Sequence, residues 1–244
     1  NYYPTEKAKA SNMKHRPIGI GVQGLADVFM MLKLEFTSPE ACAINKLIFE
    51  TIYYGAMTAS LDLVMNDGQQ PYSTFGGSPL SQGLFQFNLW DVSDEQLSGR
   101  YDWEILRQKI IAYGVRNSLL IALMPTASTA SIFGNTESFE SITSNLYTRN
   151  VLSGVFTIMN KYLVQDLMTL GLWTKETKDR LIFDKGSVQN IKALPKFLRD
   201  VYKTSYEIDQ KLMIKMSADR GIFVCQSQSL NLFFDKPSFK TLTS

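Results

Sequence analysis

Residues 18–22, 119–123, 222–224 and 230–234 are short, largely apolar runs bounded by polar residues, glycine or proline. Runs of this length suit strands better than helices, and a strand apolar on both sides must be covered on both faces. The stretches between them carry helical spacing. Ser38-Pro39-Glu40 is a helix start: a capping serine, proline at the first helical position, then an acid at the positive end of the dipole. From there Ile44, Ile48, Ile52, Ala56, Ala59 and Leu63 recur at helical intervals until Asn66-Asp67-Gly68 ends the pattern. Further stripes are Trp103, Leu106, Ile110 and Tyr113; Phe156, Met159, Leu163, Leu167 and Leu170; and Ile208, Leu212 and Met216. All read as core faces. Short buried strands among long amphipathic helices predict an α/β fold with a covered, mainly parallel sheet. Residues 66–102, rich in Gly, Ser, Pro and Asp, predict an extended surface connection, with 84–90 as an edge strand carrying Phe85, Phe87 and Leu89 on one side.

Bulk properties exclude several function classes. At 244 residues and 45% hydrophobic content, the chain can fill one large core or two small ones. Its 25 basic and 23 acidic residues nearly cancel, which gives no electrostatic footprint for nucleic acid. No apolar run reaches the roughly 18–20 residues of a membrane span. A single histidine and two distant cysteines, Cys42 and Cys225, argue against a zinc site, and no metal-ligating cluster is read here. So few cysteines, with no signal peptide, suggest a reducing, cytoplasmic setting. The chain begins at Asn1 without methionine and ends at Ser244 without an obvious tail, which fits a segment of a longer chain.

Gly19-Ile-Gly-Val-Gln-Gly24 matches the GxGxxG dinucleotide pattern by letter. That pattern works only after a strand, before a helix, and with an acid about 20 residues on. A helix is predicted over 25–34, but Lys14-His15-Arg16-Pro17 precedes the glycines and 38–66 reads as helix, leaving no place for the acid. The glycines are better explained by a tight strand-to-helix junction. His15, between Lys14 and Arg16, reads as a surface or supporting residue, and Glu137 and Glu140 as turn or cap residues.

The stretch LMPTASTASIFGN at 123–135 differs from these. A strand delivers the backbone to Pro125, and a helix opens directly afterwards. Free amides at a helix start attract anions, small residues let a phosphate approach, and Thr126, Ser128 and Thr129 add hydroxyl donors. The competing reading is an ordinary capped helix, which needs only one such hydroxyl. Placement at the carboxyl end of a strand favours a phosphate site.

The chain also resembles a known family. Trp103-Glu-Ile-Leu106, then Gly114-Val-Arg-Asn117 and Ser118-Leu-Leu-Ile-Ala-Leu-Met-Pro125, are similar to the signature of the ribonucleotide reductase large (catalytic, α) subunit. So are His15-Arg-Pro-Ile-Gly-Ile-Gly-Val-Gln-Gly-Leu-Ala-Asp27, Phe49-Glu-Thr-Ile-Tyr-Tyr-Gly55, Thr143-Ser-Asn-Leu-Tyr-Thr-Arg149, Val151-Leu-Ser-Gly154 and Gln226-Ser-Gln-Ser-Leu-Asn231, in the eukaryotic-type class I form. The resemblance spans the whole chain. It implies an α/β fold that is the second half of a ten-stranded barrel with long outer helices, residues 1–244 forming a C-terminal portion of that domain, incomplete at both ends.

It implies further that the complete enzyme reduces ribonucleoside diphosphates to deoxyribonucleoside diphosphates by a thiyl-radical mechanism. The radical would come from a metal-containing small subunit and the electrons from a thioredoxin- or glutaredoxin-type reductant, under ATP and dNTP effectors, in a large-subunit dimer. Thr126, Ala127, Ser128 and Thr129 correspond to the turn that binds the substrate diphosphate. The family's radical and redox cysteines match neither Cys42 nor Cys225, so no catalytic residue and no cofactor is expected in this segment. A naturally split half-enzyme and a catalytically dead scaffold are the alternatives.

Overall fold

The structure, a computed structural model, describes residues 2–239 and Thr243. In chain order its regular elements are α1 (Glu6–His15), α2 (Leu25–Met31), α3 (Pro39–Met65), α4 (Trp103–Tyr113), α5 (Ala127–Phe133), β1 (Leu146–Val151), β2 (Gly154–Met159), α6 (Lys161–Thr169), α7 (Lys175–Phe183), α8 (Lys196–Val201) and α9 (Gln210–Gly221). They belong to two compact units. One comprises Asn1–Gly21, Ala43–Pro125 and Ser217–Ser229; the other comprises Val22–Cys42, Thr126–Met216 and Leu230–Ser244.

The first unit holds three parallel chain segments with 119–123 in the middle. Ile18 and Ile20 donate their amides to the Leu119 and Leu120 carbonyls, and Ala122 donates back to Ile20. On the other side Gln226 donates to Ile121, Leu123 to Ser227, and Ser229 to Leu123. Pairing is parallel at Ile20–Ile121 and Leu123–Gln228, as expected for a covered sheet, and the sheet is unclosed among the described residues. Cys225 interrupts the ladder: its Sγ accepts the amides of Leu120 and Ile121 at 3.1 and 3.2 Å, standing where a carbonyl would otherwise pair. The third segment is therefore 226–229, not the predicted 222–224. Ile222, Phe223 and Val224 instead form a buried turn after α9, with Phe223 and Val224 donating to Arg220 and Gly221.

The predicted edge strand at 84–90 is also absent. Short 3-10 turns at Leu80–Gln82, Asn88–Trp90 and Asp94–Gln96 replace it. Phe85 and Phe87 are fully buried, so part of the predicted surface connection is core. Their rings meet Trp103 at 5.0 and 4.9 Å. Arg107 fastens this segment from α4, bonding the Gly83 carbonyl, the Asn88 side chain, Asp94 and Glu104 while its guanidinium lies over Phe85. The long helix α3 starts as predicted, with Ser38 Oγ accepting the Ala41 amide, and ends at Met65 before the Asn-Asp-Gly stop. Asp102 caps α4 in the same way, through the Ile105 amide.

The second unit contains the antiparallel hairpin β1–β2, paired from Leu146–Met159 to Val151–Gly154. Phe156 and Met159 thus lie in a strand, and the predicted helical stripe begins only at α6. Buried Asn145 closes the hairpin base: its Nδ2 donates to the Gly186 and Tyr202 carbonyls and its Oδ1 accepts from Asn160. Gly186, at φ 87°, is required there, because a Cβ would lie 2.0 Å from Ser144 Oγ and 2.9 Å from two backbone nitrogens. Leu230–Phe234 forms no strand; Glu140 holds this segment through the Asn231 amide and side chain.

Tyr202 donates to Asp166 at 2.5 Å, beside the Lys33–Asp166 ion pair. Burial, then the hydrogen bond to and charge of Asp166, raise the phenol well above its ordinary range. A raised acid keeps its proton in the fold, so its stabilisation is complete below the unfolded value near 10 and fades as pH rises beyond it. The expected loss above pH ~10 is about 1.4 kcal/mol per pH unit for this group. Tyr202→Phe should flatten the alkaline limb of a thermal-unfolding profile; an equally steep limb would refute the assignment.

Candidate substrate-phosphate turn

Chain geometry around residue 126 is set by two unusual backbone conformations. Thr126 precedes α5 in the left-handed region at φ 56°, and Ser138 adopts the same region at φ 47°. The two meet: the Ser138 amide donates to Thr126 Oγ1 at 2.8 Å. Thr126's hydroxyl oxygen is thereby used as an acceptor, which leaves its own hydrogen available for donation. Its carbonyl accepts the Ala130 amide and the Thr129 hydroxyl.

Of the predicted site residues, Ala127, Ser128 and Thr129 are exposed on the first turn of α5. Their amides have no hydrogen-bond acceptor among the described residues, as expected for the start of a helix. Ser128's hydroxyl has no partner there either. Thr129's hydroxyl is turned back onto the helix, so the three hydroxyl donors anticipated from sequence are not equivalent. Only Ala130 of α5 is buried, and Ile132 and Phe133 are exposed. The helix is instead held by its ends. Thr126 fixes one; at the other, Gly134 closes the helix in the left-handed region and Lys161 Nζ donates to its carbonyl at 3.1 Å. A cation at a helix C-terminus is favourable to the dipole.

The loop after α5 is tied down by the first turn of α2. Gly24 caps that helix at φ 87° and gives its amide to Thr136, while Leu25 gives its amide to Ser138. Asp27 Oδ2 accepts both the Thr136 amide at 2.7 Å and its hydroxyl at 2.6 Å. Gln23 reaches Asn135 at 3.3 Å. The last glycine of GxGxxG is thus a left-handed helix cap. Gly21 gives clearance, since a Cβ there would come within 3.1 Å of the Ala122 carbonyl. Tyr162 faces Asp27, and its phenol is pushed up to about 12 by burial, then by Asp27's charge and hydrogen bond. Ser138 Oγ is buried with no hydrogen-bond partner among the described residues.

Sequence reasoning passed over Asp27, Thr136 and Ser138. The available signal was the acid in LADVFMM, the sole charge in an apolar helix. His15 bonds Thr74 at 2.9 Å in the first unit, a supporting role. No group of three or more His, Cys, Asp or Glu side chains suited to a metal ion occurs among the described residues.

A family model described as the ribonucleotide reductase barrel domain matches residues 1–244. The chain belongs to that family. Among curated relatives, this ribonucleotide reductase segment is 54% identical over 244 residues to the ribonucleoside-diphosphate reductase large subunit of Caenorhabditis elegans, covering 100% of the chain and 30% of the relative. It is likewise 54% identical to the large subunit of Arabidopsis thaliana, covering 29% of it, and 52% identical to large chain 2 of Saccharomyces cerevisiae, covering 28%. The segment therefore spans under a third of the length of these relatives. Among solved structures, the Actinobacillus ureae class Id ribonucleotide reductase alpha subunit aligns with a TM-score of 0.70 at 26% identity, over 93% of this chain and 35% of that one. That likeness agrees with the α/β barrel expected from sequence.

Proposed function

We infer that the chain is a C-terminal portion of the catalytic barrel domain of a ribonucleoside-diphosphate reductase large subunit, incomplete at both ends. The observation that carries this is identity above half, sustained along the whole chain, to large subunits of that name from animal, plant and fungal sources. The complete protein reduces ribonucleoside diphosphates to their deoxy forms in the cytoplasm, as a large-subunit dimer. A metal-containing small subunit supplies its radical, a thioredoxin- or glutaredoxin-type protein its electrons, and ATP and dNTPs set its specificity.

Within that enzyme Thr126, Ala127, Ser128 and Thr129 hold the substrate diphosphate. Support comes from the exposed, unspent amides of 127–129, the free Ser128 hydroxyl and the donor hydrogen left on Thr126. Two negatively charged groups seated on several such donors would fix the nucleotide's position, which is the geometric part of catalysis. Chemistry at the ribose is supplied elsewhere in the complete enzyme. Its test is reduction of ribonucleoside diphosphates by the full-length chain with its small subunit. The 244-residue chain alone is expected to show no turnover. Turnover by that segment, or a full-length protein inert toward every ribonucleoside diphosphate, would refute the reading.

A further inference from the structure

We propose that Asp27 is a positioning residue for the substrate turn: its carboxylate holds the loop 134–138, and through the Ser138 amide it sets the Thr126 side chain and the start of α5. This rests on the assignment of 126–129 to substrate and deepens it.

Asp27 is 7% exposed, and a carboxylate so buried must recover its lost hydration through strong hydrogen bonds. It finds two of them on Thr136, accepting both its amide and its hydroxyl on a single oxygen, and the Tyr162 phenol is a further donor to it. Thr136 is held at a third point, where its carbonyl accepts the Gly24 amide at 3.0 Å. Two residues on, Ser138 sits between α2 and the turn, its carbonyl accepting from Leu25 and its amide bonding Thr126 Oγ1. Direct hydrogen bonds join the first turn of α2 to Thr136 and Ser138 to Thr126, and the two-residue backbone step from Thr136 to Ser138 connects them. Alternative anchoring is scant, because Ala130 is the only α5 side chain buried. With α5 so lightly packed, the position of its first amides depends on what holds Thr126. The arrangement also accounts for an acid in an otherwise apolar helix face.

The test is steady-state kinetics of the full-length chain with its small subunit, on ribonucleoside diphosphates. Asp27→Ala should raise KM about tenfold, the scale of one charge-assisted hydrogen bond, with kcat within about twofold. Asp27→Asn, which keeps an oxygen for both Thr136 donors, should recover most of the loss. In a Ser128→Ala background the Asp27→Ala effect should shrink, because both act on the same bound group. A raised KM in Ser128→Ala with an unmoved KM in folded Asp27→Ala removes the positioning role and leaves the substrate turn standing. An unmoved KM in Ser128→Ala removes the substrate assignment, and the positioning role with it. Fully additive effects in the double variant, or a fall in kcat alone, also overturn the proposal. Should Asp27→Ala fail to fold, Thr136→Val takes its place: it deletes the hydroxyl donor but keeps the amide, and an unchanged KM there is equally fatal.

Discussion

Trp103→Ala is expected to cost about 3–5 kcal/mol of unfolding free energy, enough to take a domain of ordinary stability to the edge of unfolding. Trp103 is 3% exposed and sits where the aromatic rings of the first unit converge. Tyr53, Tyr54, Phe85 and Phe87 lie 5.9, 5.1, 5.0 and 4.9 Å from it, centroid to centroid. Deleting the indole removes these contacts together and leaves a cavity that rings fixed from four chain positions cannot collapse into. A second penalty is polar. Glu50 is 1% exposed, and its Oε1 accepts the indole N–H at 3.4 Å while its Oε2 accepts the Ser98 amide. Without the indole, that carboxylate keeps fewer partners for its desolvated charge. Trp103→Phe separates the two effects: it retains much of the ring packing and loses the donor, so it should cost about 1–3 kcal/mol. Chemical denaturation of both variants, with the wild-type protein alongside, measures the difference. Equal midpoints for Trp103→Ala and wild type would show that the ring cluster contributes little.

Why some elements were readable and others were not follows from what signals a sequence can carry. Helix α3 announces itself through its cap, its first-turn proline and a long apolar period. The structure uses the cap and the proline, but of the predicted stripe only Ala56 is buried, and the buried face runs instead through Phe49, Tyr53, Met57 and Leu61. The segment at 226–229 announces nothing, since Gln226-Ser-Gln-Ser229 is polar throughout. It pairs because its backbone continues a sheet, and its side chains are spent on partners far along the chain; Gln226 Nε2 reaches the Ile18 carbonyl and Gln228 Oε1 accepts from Arg220. The β1–β2 hairpin is silent for another reason. Tyr147, Val155 and Phe156 are all exposed, so no buried face imposes a period of two. Phe156 and Met159 then happen to extend the spacing of α6. Phe85 and Phe87 show the converse: alternation suggested a strand, but a chain of tight turns buries both rings. In the candidate turn at 126–129, residue types suggested three like donors, and geometry gives each hydroxyl a different surrounding. A hydroxyl's direction depends on who accepts it, and that information lies in Ser138 and the Thr126 carbonyl, not in the string TASTAS.

Ser128→Ala in the full-length enzyme is expected to raise KM for every ribonucleoside diphosphate by about 10–100-fold, as loss of one hydrogen bond to a charged group would. Thr129→Ala should cost less. The distinction comes from the side-chain geometry: Thr129's hydroxyl already donates to the Thr126 carbonyl at 3.2 Å, whereas Ser128 is exposed with its hydroxyl unspent. Thr126→Val should be worse than Thr129→Ala for a different reason. It removes both the donor hydrogen and the oxygen that receives the Ser138 amide, so the substrate contact and the support of the turn go together. A uniform loss across all bases is the informative feature, because the diphosphate is common to every substrate while the base is not. An effect confined to one nucleotide would place Ser128 near the base and not the phosphates. The split between constants matters as well: a contact made equally in ground and transition states raises KM and leaves kcat in place. A kcat that fell in step with kcat/KM would mean that the turn tightens on the substrate only as the reaction proceeds, which a set of free, fixed amides gives no reason to expect.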